Sequence, residues 1–102
     1  MFKLTTMANK ILVTGCAGFI GFHLTRSLIN SKQIVAGIDN LNDYYSIELK
    51  KSRLNKLNET ANLKNINFKF FEEDLENKDL INKVFRDFKP QVVIHLGAQA
   101  GV

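Results

Sequence analysis

Short apolar runs separated by amphipathic stretches set the organisation of this chain. Ile11-Leu12-Val13-Thr14 is continuously apolar and stops at glycine, the pattern of a strand buried on both faces. Ile20, Leu24, Leu28 and Ile29 then recur at helical spacing, which predicts a helix over about Phe19 to Asn30. Ile34-Val35-Ala36-Gly37-Ile38 forms a second strand that ends at Asp39. Beyond a polar loop from Asn40 to Tyr45, Ser46 caps a helix running through Leu49, Leu54 and Leu57, which the stretch from Asn58 to Asn65 brings to an end. In Ile66-Asn67-Phe68-Lys69-Phe70 apolar and polar residues alternate, so the third strand has one covered and one wet face, as an edge strand has. Asn77 caps a third helix whose stripe is Leu80, Ile81, Val84, Phe85 and Phe88 and whose stop is Pro90; Gln91 to Leu96 is a fourth, continuously apolar strand.

Strands alternating with helices imply an α/β fold, a Rossmann-type parallel sheet of right-handed crossovers in the order 3-2-1-4. Right-handedness puts the first two helices on one face and the third on the other. Strand four, Val92-Val93-Ile94, is apolar on both sides, and nothing after Val102 pairs its outer edge. The expectation is an incomplete sheet, the N-terminal part of a longer doubly wound domain, with residues 1–9 as a tail and 10–102 as a partial nucleotide-binding domain. No repeat, linker or low-complexity segment suggests a second domain.

Composition narrows the classes. The 102 residues, 45% hydrophobic and 24% charged with one proline, suit one ordered globular domain. No apolar run approaches the roughly 18 residues of a membrane span, and Met1 to Asn9 lacks the core of a secretory signal, so a soluble, cytoplasmic chain without a membrane partner is expected. The single cysteine, Cys16, excludes an internal disulfide and a cysteine-rich metal site, and no metal is expected. The net charge of +4 raises nucleic-acid binding as a possibility. Its excess lies in Lys50, Lys51, Arg53, Lys56, Lys64 and Lys69 against Glu48 and Glu59, beside Leu54 and Leu57 on a plain amphipathic stretch. Without interleaved aromatics these read as a solvated face, and no nucleic-acid partner is expected.

Candidate chemistry is concentrated at Gly15-Cys16-Ala17-Gly18-Phe19-Ile20-Gly21. The first glycine permits a sharp exit from the strand, the second lets main chain approach phosphates, and the third lets the helix lie close to the sheet. Free amides at the helix start, around Phe19 and Ile20, and the positive end of the helix dipole then face a pyrophosphate. Three glycines alone suit any flexible turn; their place between a strand and a helix gives them this meaning. Asp39 ends the second strand near the spacing of about 20 residues expected for a carboxylate on the adenosine ribose, and its charge opposes a 2′-phosphate. NAD is therefore favoured over NADP, although an aspartate here also suits a simple turn cap.

With Thr14 before the glycines and Phe19-Ile20 within them, the turn resembles the extended short-chain dehydrogenase/reductase family. Gly37-Ile38-Asp39-Asn40-Leu41-Asn42-Asp43-Tyr44-Tyr45, followed by Leu49-Lys50 and Arg53-Leu54, is similar to the nucleotide-sugar epimerases that act on UDP-glucuronate, and Val93 to Val102 is similar to the end of their fourth strand. The resemblance implies that Asp39 and Asn40 hold the ribose, that Asp74 and Leu75 line the adenine pocket, that Leu96, Gly97 and Ala98 pass near the nicotinamide, and that Gln99 borders the sugar. Position 97 is usually alanine there, and glycine leaves the pocket open. Cys16 stands where alanine is common and reads as a small residue in a crowded loop rather than as a reactive thiol.

The family reaction moves hydride from sugar C4 to NAD and back from the other face, with a tyrosine base, a lysine four residues later and a serine or threonine. Tyr44 and Tyr45 are followed at that distance by Glu48 and Leu49, so no catalytic residue is assigned and this chain alone is expected to be inactive. His23 lies on the first helix, and His95 reads as a hydrogen-bonded core histidine. The implied setting is the NAD-binding N-terminal portion of a homodimeric UDP-sugar epimerase. A dehydratase or decarboxylase of the same family, or a truncated non-catalytic nucleotide-binding fragment, remains as the alternative.

Overall fold

The computed structural model describes residues 9–41 and 46–97. Tyr44, Tyr45, Ala98 and Gln99, and the expected tail up to residue 8, lie outside the described residues. The elements follow in the order β1 (Lys10–Thr14), α1 (Phe19–Asn30), β2 (Ile34–Asp39), α2 (Ile47–Leu63), β3 (Phe68–Glu72), α3 (Lys78–Phe88) and β4 (Val92–His95). The strands form a parallel sheet in the order β3-β2-β1-β4, as the alternation of elements predicts.

The two central strands place alternate side chains on opposite faces. Ile11, Val13 and Val35 pack with Ile29 of α1 and with Leu54, Leu57 and Ala61 of α2. Leu12, Ala36 and Ile38 pack with Val84 and Phe88 of α3. Two helices thus cover one face and one helix the other, the consequence of two crossovers stepping one way and the third stepping back. Both expected caps form: the Ser46 hydroxyl accepts from Leu49 N at 3.2 Å and the Asn77 side chain from Leu80 N at 3.3 Å. No helix among the described residues is long and apolar enough to cross a membrane.

Several local expectations are corrected. The buried line of α1 is Gly21, Thr25 and Ile29, while Ile20 is 67% exposed, because Gly21 must face the turn beneath it and this rotates Ile20 outward. α2 ends at Leu63, within the expected Asn58–Asn65 stretch, after burying Thr60 and Ala61. β3 begins two residues later than expected, since the Ile66 amide is used by Ala61 O at 2.9 Å to close α2 and pairing with β2 runs from Val35↔Phe68 to Asp39↔Glu72. In α3, Ile81, Val84 and Phe88 face the sheet but Leu80 and Phe85 are exposed. β4 is an edge among the described strands, and Val92 and Val93 are 44% and 43% exposed.

The face of α2 is also displaced. Leu49 is 46% exposed and the buried line is Lys50, Leu54, Leu57 and Ala61. Leu57→Ala is therefore expected to cost about 2–5 kcal/mol of folding stability and Leu49→Ala under about 0.5 kcal/mol, measured by urea unfolding.

Candidate cofactor-binding site

In the order β3-β2-β1-β4 the chain steps from β1 to one side and later returns to the other, so the carboxyl ends of β1 and β4 flank the point where connections diverge. The glycine turn sits there. Gly15 N donates to Ile38 O at 2.7 Å, which hooks the turn onto β2. Gly15 has φ +76°, and a Cβ on it would lie 2.9 Å from the Leu96 carbonyl carbon and 3.0 Å from Gly97 Cα. A Cβ on Gly21 would collide with the Gly15 carbonyl. The third glycine therefore lets α1 close onto the turn itself.

Gly18 is the N-cap of α1, with no side-chain cap and no acidic residue in the first turn. The amides of Phe19, Ile20 and Gly21 open the helix, where geometry provides no intrahelical acceptor. Their dipoles and the absence of a competing carboxylate suit a bound anion such as the pyrophosphate of a dinucleotide. The Phe19 and Ile20 side chains are exposed, so any role they have in holding an anion falls to the main chain.

Asp39 is buried at the end of β2, with Oδ2 accepting from Ala17 N at 3.1 Å and Oδ1 from Leu41 N at 2.8 Å and Lys50 Nζ at 3.2 Å. A carboxylate has about four lone-pair sites, so the three donors among the described residues leave one, on Oδ2. Asn40, next in the chain, is exposed.

The solvated-face reading holds for Lys51, Lys56, Lys64 and Lys69, which are exposed, and fails for Lys50, which is 6% exposed and ion-paired with Asp39. Arg53, three residues on, is half-buried and donates from Nη1 to Ala17 O at 3.0 Å. Sequence reasoning passed over both. A signal existed for Lys50: it stands four residues before Leu54 and seven before Leu57, on the buried line, where a charge needs a partner.

At the other wall, Thr14 Oγ1 accepts from Leu96 N at 2.9 Å and Gly97 N at 3.0 Å and lies 2.7 Å from His95 Nδ1. His95 is hydrogen-bonded as expected but exposed rather than buried, because it lies on the edge strand. A Cβ at position 97 would lie 3.0 Å from Leu75 Cδ1 and 3.2 Å from Gly15 N, so Gly97 fits a tight contact rather than leaving open space. Leu75 is thereby brought to the turn, whereas Asp74 is exposed and accepts from Glu76 N at 2.9 Å.

Cys16 is fully buried, and its side chain occupies the space that a Cβ on Gly37 would need. Burial first, and the Asp39 carboxylate second, push the thiol well above its ordinary value.

Residues 12–102 match the GDP-mannose 4,6 dehydratase family. The chain belongs to this family. It is accordingly a member of the extended short-chain dehydrogenase/reductase proteins that its glycine turn resembles. It is 50% identical over 93 residues to protein CapI of Staphylococcus aureus, covering 91% of this chain and 26% of that protein. To UDP-glucuronate 4-epimerase of Thermodesulfobacterium geofontis it is 44% identical over 91 residues, 89% of this chain and 27% of the relative. The Thermus thermophilus UDP-glucose 4-epimerase, solved in complex with NAD, superimposes with a TM-score of 0.65 at 34% identity, covering 91% of this chain and 25% of that one. The chain thus spans about a quarter of the length of these relatives. NAD is bound in the Thermus thermophilus structure and in that of the UDP-glucose 4-epimerase from Bifidobacterium longum, and NAD is the cofactor of the family.

Gly21→Ala is expected to destabilise the chain by at least about 1–3 kcal/mol in urea unfolding, since the added carbon meets backbone rather than a movable side chain. The raised thiol value means that Cys16 stays protonated in the folded state at a pH where the unfolded thiol ionises. Stability is intact below the ordinary value of 9.0 and falls as the pH rises past it. The alkaline loss in urea unfolding is expected to be smaller in Cys16→Ala.

Proposed function

We propose that this chain binds NAD across the glycine turn and Asp39, as the cofactor-binding portion of a UDP-glucuronate 4-epimerase-like enzyme. The observation that carries this reading is the open first turn of α1 above a turn too crowded for side chains, with a buried carboxylate beside it. In it, the amides of Phe19, Ile20 and Gly21 hold the pyrophosphate, while Gly15 and Gly18, whose amides are engaged within the turn, let the main chain approach it. Asp39 takes a ribose hydroxyl on Oδ2 and Asn40 flanks it. Asp74 and Leu75 border the adenine, Leu96, Gly97 and Ala98 run beside the nicotinamide half, and Gln99 borders the sugar. Residues 10–102 then form the first portion of a Rossmann domain.

When bound, NAD supplies a reversible hydride acceptor; the residues of this portion bind and orient it. The 44% identical relative and the epimerase structures support epimerisation of a UDP-sugar; the same reading takes the enzyme as a cytoplasmic homodimer. The family's own description favours a second reading, a nucleotide-sugar dehydratase using the same cofactor portion.

Calorimetric titration of the purified chain is expected to show NAD binding at least about tenfold tighter than NADP. No binding of NAD, or NADP binding as tightly, overturns the proposal. In the full-length natural protein, conversion of UDP-glucuronate to its 4-epimer distinguishes the epimerase from a dehydratase, which releases a keto sugar.

A further inference from the structure

A carboxylate at the end of β2 repels a 2′-phosphate only as far as its charge is uncompensated. Here it is partly compensated: Lys50 Nζ lies 3.2 Å from Asp39 Oδ1, and both side chains are buried, at 8% and 4% exposure. Charges this close and this poorly solvated partly offset one another, so the repulsion an incoming anion meets is weakened but not abolished. The lysine ammonium has three donors on a flexible stem and suits phosphate as a point charge. Arg53, on the same helix, puts a second cation at the same turn through Ala17 O.

We propose that Lys50 is a specificity-determining residue, a cation able to take a 2′-phosphate that Asp39 holds in an ion pair, so that selectivity for NAD resides in the pair. The inference rests on the reading that Asp39 meets the adenosine ribose. Loss of the Asp39 charge leaves a buried ammonium without a counter-ion, and an arriving 2′-phosphate supplies one. Loss of the Lys50 charge leaves the carboxylate uncompensated, and discrimination against the phosphate sharpens. Arg53 is engaged by a carbonyl, and its charge is not what Asp39 restrains.

The test is calorimetric titration of the chain with ADP-ribose and with 2′-phospho-ADP-ribose, which carry the pyrophosphate and lack nicotinamide, after a thermal melt of each variant. Wild type is expected to prefer ADP-ribose. Asp39→Ser is expected to shift the affinity ratio at least about tenfold toward the 2′-phosphate, a shift that Asp39→Ser/Lys50→Met removes and Asp39→Ser/Arg53→Met retains. An unmoved ratio in Asp39→Ser, or a full shift that survives Lys50→Met, overturns the inference. Should Asp39→Ser lose its cooperative melt, Lys50→Gln decides, because it keeps a donor for Asp39 without the charge. Stronger discrimination against the 2′-phosphate supports the inference; an unchanged or relaxed ratio overturns it. Wild-type binding of ADP-ribose with unmoved variants defeats this inference alone, whereas a wild type that binds neither ligand defeats the proposed function as well.

Discussion

The carboxylate of Asp39 holds together three parts of the molecule. Its two oxygens take the amide of Ala17 in the glycine turn, the amide of Leu41 beyond β2, and the ammonium of Lys50 on α2. Hydrogen bonds to a charged group each contribute about 1.5–3 kcal/mol, and removal of one partner from a buried ion pair typically costs about 3–5 kcal/mol. The path of the turn and the seating of α2 therefore meet at one side chain. Arg53 reinforces the arrangement by taking the carbonyl of the residue whose amide Asp39 holds.

Around that anchor the site is built by exclusion of volume. Gly21 brings α1 onto the Gly15 carbonyl, Gly15 meets the Leu96-Gly97 backbone, and Gly37 makes room for Cys16. Thr14 ties the ends of β1 and β4 with a hydroxyl that accepts from the Leu96 and Gly97 amides and meets His95 Nδ1. Main-chain groups fixed in this way need little further ordering when an anion arrives, the condition under which a ligand contact yields affinity. The same crowding accounts for the raised thiol of Cys16, which is sealed away beside a negative charge.

Much of the fold was legible from local pattern. The alternation of elements and the handedness of crossovers lead to the order β3-β2-β1-β4, and Ser46 and Asn77 cap the helices that their positions predict. At the site, Gly15, Gly18, Gly21 and Asp39 stand out because backbone conformation and charge are properties of single residues. Position was less legible than existence. Ile20 and Leu49 look like core residues in their helices, yet a close approach at Gly21 and an ion pair at Lys50 turn the buried faces elsewhere.

The resemblance to the extended short-chain dehydrogenase/reductase family is carried by the order of residues, and the parallel sheet and the strand–turn–helix unit follow from it because spacing, chirality and glycine's freedom act over short distances. The pairing of Asp39 with Lys50, the meeting of Arg53 with Ala17 and the Thr14–His95 contact were decided only by tertiary structure. Each joins elements that are separated along the chain, and whether a charge among leucines is solvated or paired depends on what the fold brings against it.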